Sequence, residues 1–179
     1  MRAKRSLRTL LRDRSGIAAV EFALIVPTIM VMFFATYEAS MLIRAKMKFD
    51  NAATTIASLV SLQTPQASGG TMTADFCTGA GYMMQPLSSS GLTVQVNSVT
   101  NYSGTATVDW TANCGTLSGP QSATTLASGL VPNSGDSVIV VQTKYTYTAA
   151  IHMILSPSFT FSNVGYARPR NNGTVKYAP

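Results

Sequence analysis

Few residues in this chain have both the type and the company that chemistry requires. Glu21 is the first, a carboxylate set in the apolar run RSGIAAVEFALIVPTIMVMFFATY (14–37), with Gly16 five positions before it and Pro27 six after. Inside a bilayer such a charge costs a few kcal/mol, less near an interface, and it usually has a partner or a task. The remaining candidates are sparse. Cys77 and Cys114 are the only cysteines, and His152 in AAIHMIL is the only histidine, where a packed or interface histidine is the expected finding. Past the first 60 residues the carboxylates are Asp75, Asp109 and Asp136, with no pair at acid–base spacing. There is no GxSxG, HExxH or phosphate-binding loop, and two cysteines with one histidine make a poor zinc site. The sequence therefore predicts no enzyme, no cofactor and no metal.

Two readings fit Glu21. In one, it snorkels to the headgroups, lying about 6 Å along a helix from Ile17. In the other, the chain is cut after Gly16, and Ile17 carries a free α-amine that is cationic near neutral pH. That amine on a neighbouring, axially shifted copy meets the Glu21 carboxylate and sets the register of an assembly.

The elements that must position Glu21 follow from charge and hydropathy. The chain has 179 residues, enough for one modest domain and an anchor. Its net charge of +6 is concentrated at one end, because residues 1–15 hold Arg2, Lys4, Arg5, Arg8, Arg12 and Arg14 against Asp13 alone. The rest of the chain is almost neutral, which argues against nucleic-acid binding. Ile17 to Tyr37 is a run of 21 residues with one charge, long enough for a helix to span a hydrocarbon core of about 30 Å. The basic tail keeps the N-terminus cytoplasmic and sends the remainder across. A conventional signal cleavage is disfavoured, because FFATYEAS puts Phe33 or Tyr37 where a small residue is needed.

A basic leader ending in Gly16, four residues, Glu21 and a long apolar run resembles a class III, type IV-like prepilin signal. The wording RDRSGIAAVEFALIVP is similar to the TadE-like family, minor pilins or pseudopilins of the Tad/Flp tight-adherence pilus. The resemblance covers residues 10–50. It implies Gly16 before the cut, Ile17 as processed N-terminus, Glu21 as the acidic residue of assembly and Pro27 as the family's proline. Phe22 stands where major Flp pilins usually have Tyr, which fits the TadE-like side. The partners it implies are the inner membrane, a prepilin peptidase, the Tad platform proteins, other minor pilins and the major Flp pilin. The role it implies is initiating or anchoring pilus assembly for surface adhesion, from a bacterial inner membrane crossed once, with the C-terminal domain periplasmic. The alternative is a permanently anchored periplasmic or surface binding protein that uses the segment only as a signal anchor.

Beyond the span the helix is expected to continue to Gln63, about 70 Å in all. Leu42, Ala45, Phe49, Ala52, Ala53, Ile56, Leu59 and Val60 recur at threes and fours and form one stripe. Thr64-Pro65 and Gly69-Gly70 mark the stop. Strands are predicted in 92–99, 104–112, 137–150 and 158–169, from alternation, β-favouring residues and turns such as PNSGD. Residues 115–134 offer an ordered loop at best. Cys77 and Cys114 both fall on the oxidising side, where a disulfide is the default and reactive thiols or metal binding the alternatives. The expected fold is α+β, a long pilin-like helix with a small antiparallel β-rich head stapled by one disulfide. Its expected divisions are a basic leader (1–16), a transmembrane segment (17–37), an amphipathic continuation (38–63), a linker (64–72) and the head (73–179).

Overall fold

The computed structural model describes residues 16–63 and 69–170. The leader before Gly16, the Thr64-Pro65 stop with the first part of the expected linker, and residues 171–179 lie outside the described residues.

Helix α1 (Ile17–Ser61) runs unbroken for 45 residues, about 68 Å. It starts where the Val20 N–H donates to the Gly16 carbonyl at 3.1 Å. Its last turn closes through the Leu62 and Gln63 amides, which donate to Leu59 and Val60 at 3.2 and 3.1 Å. Pro27 sits inside without ending it, leaving the Ala23 carbonyl without its usual donor. The expected stripe is buried at Ala45, Phe49, Ala52, Ala53, Ile56 and Val60, and Leu42 is half-buried. Leu59, at the margin of the stripe, is exposed.

That stripe covers one face of a four-stranded antiparallel sheet. Strands β1 (Leu92–Tyr102), β2 (Thr105–Cys114), β3 (Ser137–Thr148) and β4 (Ser158–Ala167) lie in the order β2-β1-β3-β4. The β1–β2 hairpin turns at Ser103-Gly104, both with positive φ (52° and 92°), the backbone of the tight turns that suit strand twist. Side chains alternate across each strand. Val94, Val96, Ile139 and Val141 face α1 near Ile56 and Val60. Lower on the same face, Tyr145 and Phe161 lie against Phe49, each with ring centroids 6.1 Å away, and Tyr147 packs by Ala45. β3 therefore descends along α1 and β4 climbs back, until the Arg170 amide donates to the Ser61 carbonyl at 3.1 Å. Gly165 permits the closest approach, since a Cβ there would fall 2.5 Å from the Ala53 carbonyl oxygen.

Two helices depart from the sequence reading. Helix α2 (Gly69–Met84) begins within the expected linker and occupies the start of the part read as β-rich. It buries Phe76, Ala80 and Met84, spaced by four, against α1 and the sheet. Helix α3 (Ala123–Ala127) lies in the stretch read as an ordered loop at best. With Val131, its Ala123 and Ala127 cover Val99, Val138 and Val140 on the other face. The second face of the sheet needed a cover, and this segment is it. The expected disulfide is present, Cys77 on α2 bonded to Cys114 at the end of β2 with Cα atoms 5.6 Å apart.

Candidate assembly site and its tether to the head

The lower half of α1 stands clear of the core, and only at Tyr37, close enough to Tyr147 for their phenols to interact, does it approach the sheet. No residue from Ile17 to Tyr37 is buried, and Phe22 and Leu24 expose 70% and 72% of their surface. This is the one helix among the described residues long and apolar enough to cross a membrane. Glu21 sits here, exposed, with no hydrogen bond or ion pair among the described residues. Gly16 lies five residues below it at the foot of the helix, where a Cβ would meet nothing within 4 Å. The fold thus makes no demand for glycine at that position. Gly16, Ile17, Glu21, Phe22 and Pro27 are neighbours along one helix, and the bridge of Cys77 and Cys114 lies in the head.

A second glutamate is treated in the opposite way. Glu38 is buried just above the apolar run. Its Oε1 accepts the Met153 N–H at 2.7 Å, and its Oε2 accepts those of Leu155 at 2.8 Å and Ile154 at 3.4 Å. The three donors are consecutive amides of the loop between β3 and β4. The Leu155 amide is the main reason that the Glu38 carboxyl sits below the usual carboxylate range; partial burial opposes it, and the amides of Met153 and Ile154 add to the lowering. Nothing in the sequence marks the pair, because backbone amides have no residue signature. His152, expected to be packed or at an interface, is not packed within the chain but exposed on this loop.

Higher on α1, Asp50 receives the Lys46 ammonium one turn below and the Asn163 Nδ2 of β4 at 2.9 Å. The Lys48 ammonium donates to the Gln85 carbonyl after α2. In the head, Asp109 stands at a register shift opposite Ser98 and Val99 and accepts the hydroxyls of Ser98 (3.2 Å), Thr100 and Tyr102 (3.0 Å). That carboxylate raises the Tyr102 phenol above its ordinary value. Asp136 closes the turn into β3 by accepting the Asn133 amide at 3.0 Å. Both have structural work. No group of three or more His, Cys, Asp or Glu able to hold a metal occurs among the described residues.

On the far face of the sheet an open groove is lined by Ser118, Gln121, Gln142, Lys144, Asn163 and Tyr166. Its polar groups are largely engaged with one another. Lys144 donates to the Ser118 hydroxyl at 2.8 Å, and the Gln142 amide exchanges bonds of 2.8 and 2.9 Å with the Gln121 backbone.

Comparison with known proteins bears on the helix and not on the head. The family model described as TadE-like protein matches residues 16–58, about a quarter of the chain. This is the family that the sequence resembles, and the match ends within the buried stripe of α1. Neither curated proteins nor solved structures yield a match to the chain.

Proposed function

We propose that this chain is a minor pilin or pseudopilin, a structural component that initiates or anchors a Tad/Flp-type pilus. The family match over 16–58 supports association with a Tad pilus in general, and the finer role is our reading. One observation carries it. Glu21 is exposed and, among the described residues, unpaired, on a half-helix with no buried residue, five residues after a glycine the fold does not require. A carboxylate that must enter a membrane and has no partner at home gains one from a neighbouring subunit, and the α-amine of a processed Ile17 has the opposite charge. In this reading the basic leader is cytoplasmic, α1 crosses the inner membrane once and the head is periplasmic. A prepilin peptidase cuts after Gly16, and the platform proteins, other minor pilins and the major Flp pilin are the partners.

The test is the mature N-terminus. Expressed with an active prepilin peptidase, the envelope protein should begin at Ile17, and Gly16→Val should leave the leader attached. An intact leader beside a processed control substrate would overturn the assembly reading. It would leave a permanently anchored binding protein, for which the groove at Gln142 and Lys144 is the feature to examine.

A further inference from the structure

We infer that the β3–β4 loop is a second membrane contact, inserting Ile151, Met153 and Ile154 into the leaflet on the head side of the span. The inference rests on the anchored reading of α1 and concerns a part of the head outside the family match.

Position is the first argument. β3 descends along α1 from Ile56 to Ala45, so the loop that follows it is the end of the head nearest the apolar run. Its depth is set by Glu38, which binds the amides of Met153, Ile154 and Leu155. Glu38 directly follows Tyr37, the last residue of the span, about 1.5 Å further along the axis. Side chains on a helix lean toward its N-terminus, so the carboxylate and the loop it holds lie on the membrane side of the Glu38 backbone. Tyr37 itself is 42% exposed, as an aromatic at a membrane boundary would be.

Chemistry is the second. Residues 149–158, AAIHMILSPS, contain no Asp, Glu, Lys or Arg. Met153 exposes 68% of its surface, Ile154 46% and Ile151 36%, although β3 buries Tyr145 and Tyr147 a few residues before them. Three consecutive amides that a lipid-facing loop would leave unsatisfied are already taken by Glu38, which removes the main cost of placing irregular backbone near hydrocarbon. The first cation up the helix, Arg44, is six residues or about 9 Å above Glu38, at the level of phosphate headgroups. Apolar side chains below, satisfied backbone at the boundary and a cation above are the layers of an interfacial contact.

The experiment uses the full chain in liposomes whose acyl chains are brominated near the headgroup end. An environment-sensitive fluorophore is placed in turn at Met153→Cys, at Met30→Cys within the span and at Thr105→Cys at the opposite end of the head. All three sites are exposed, so none should disturb folding. Brominated lipid should quench Met153 severalfold more than Thr105 and to a degree comparable with Met30, with Met153 shielded from aqueous iodide. Quenching at Met30 with Met153 open to iodide would overturn the loop contact and leave the anchor standing. No quenching at Met30 would remove the anchored reading and this inference together. Shielding of Met153 without lipid quenching, lost as the protein is diluted in lipid, would show a second copy on the loop and overturn the inference.

Discussion

The two glutamates of α1 are the same residue in the same helix, and the chain handles them in opposite ways. Glu38 is buried and receives three backbone amides from its own loop. Glu21 is exposed and receives nothing from its own chain among the described residues. The upper half of the helix is completed in cis, and the lower half is left to be completed by something else. In the proposed reading the charge retained in the apolar run serves an assembly, whereas the charge that finds three donors at home serves the fold.

The sharpest way to break that contrast is to remove Glu21. Glu21→Val should abolish recovery with pilus components and reduce pilus counts to background, while insertion and the thermal unfolding of the head stay unchanged. Glu21→Gln should behave alike, and Glu21→Asp, one methylene short, should be intermediate. Normal assembly by Glu21→Val would make the carboxylate a passenger.

Changes in the head should do the reverse, costing stability and sparing insertion. Replacing Cys77 and Cys114 by Ser opens a loop with a sequence separation of 37, which the chain-entropy model values at about 4 kcal/mol. Denaturant unfolding in detergent should register it. Gly165→Ala drives a Cβ toward the Ala53 carbonyl and should cost about 1–3 kcal/mol by overpacking, read by the same method.

The smallest effect is local to Glu38. Glu38→Gln should speed hydrogen exchange of the amides of 153–155 with little change at the sheet. The sign of the pH dependence follows from the lowered carboxyl. Its contribution is complete above the unfolded value near 4.5 and is lost only as pH falls through the lower folded value. Protection of these three amides should therefore survive at pH 4.5 and disappear on further acidification, and Glu38→Gln should show no such step.

The sequence was legible where one residue type implied one physical role. The strands were readable because Val, Thr and Tyr alternate between clear turns, and α1 because one stripe recurs for five turns. The bridge was readable because the two cysteines of the chain both fall on the side of the apolar run expected to be oxidising. Helix α2 was not, because Gly79 and Gly81 weaken it and its Thr- and Gly-rich composition matches the loops around it. Its signal was the spacing of Phe76, Ala80 and Met84, which is visible only when composition is set aside. α3 is too short for periodicity to speak. Glu38 was missed for a different reason, since its donors lie 115 to 117 residues away in backbone that any sequence supplies. Glu21 stood out because nothing around it is polar.

The unbroken run of α1 through Tyr37 and Glu38 makes the molecule a screw with a fixed thread. Each residue turns a helix by about 100° and lifts it by about 1.5 Å, so Glu21 and the head-bearing face at Glu38 hold one azimuth relative to each other. Pro27 lies between the two, and the helix continues through it. A subunit seated through Glu21 would have its head aimed before it left the membrane, and a single residue added between Phe22 and Tyr37 would aim it about a quarter-turn away.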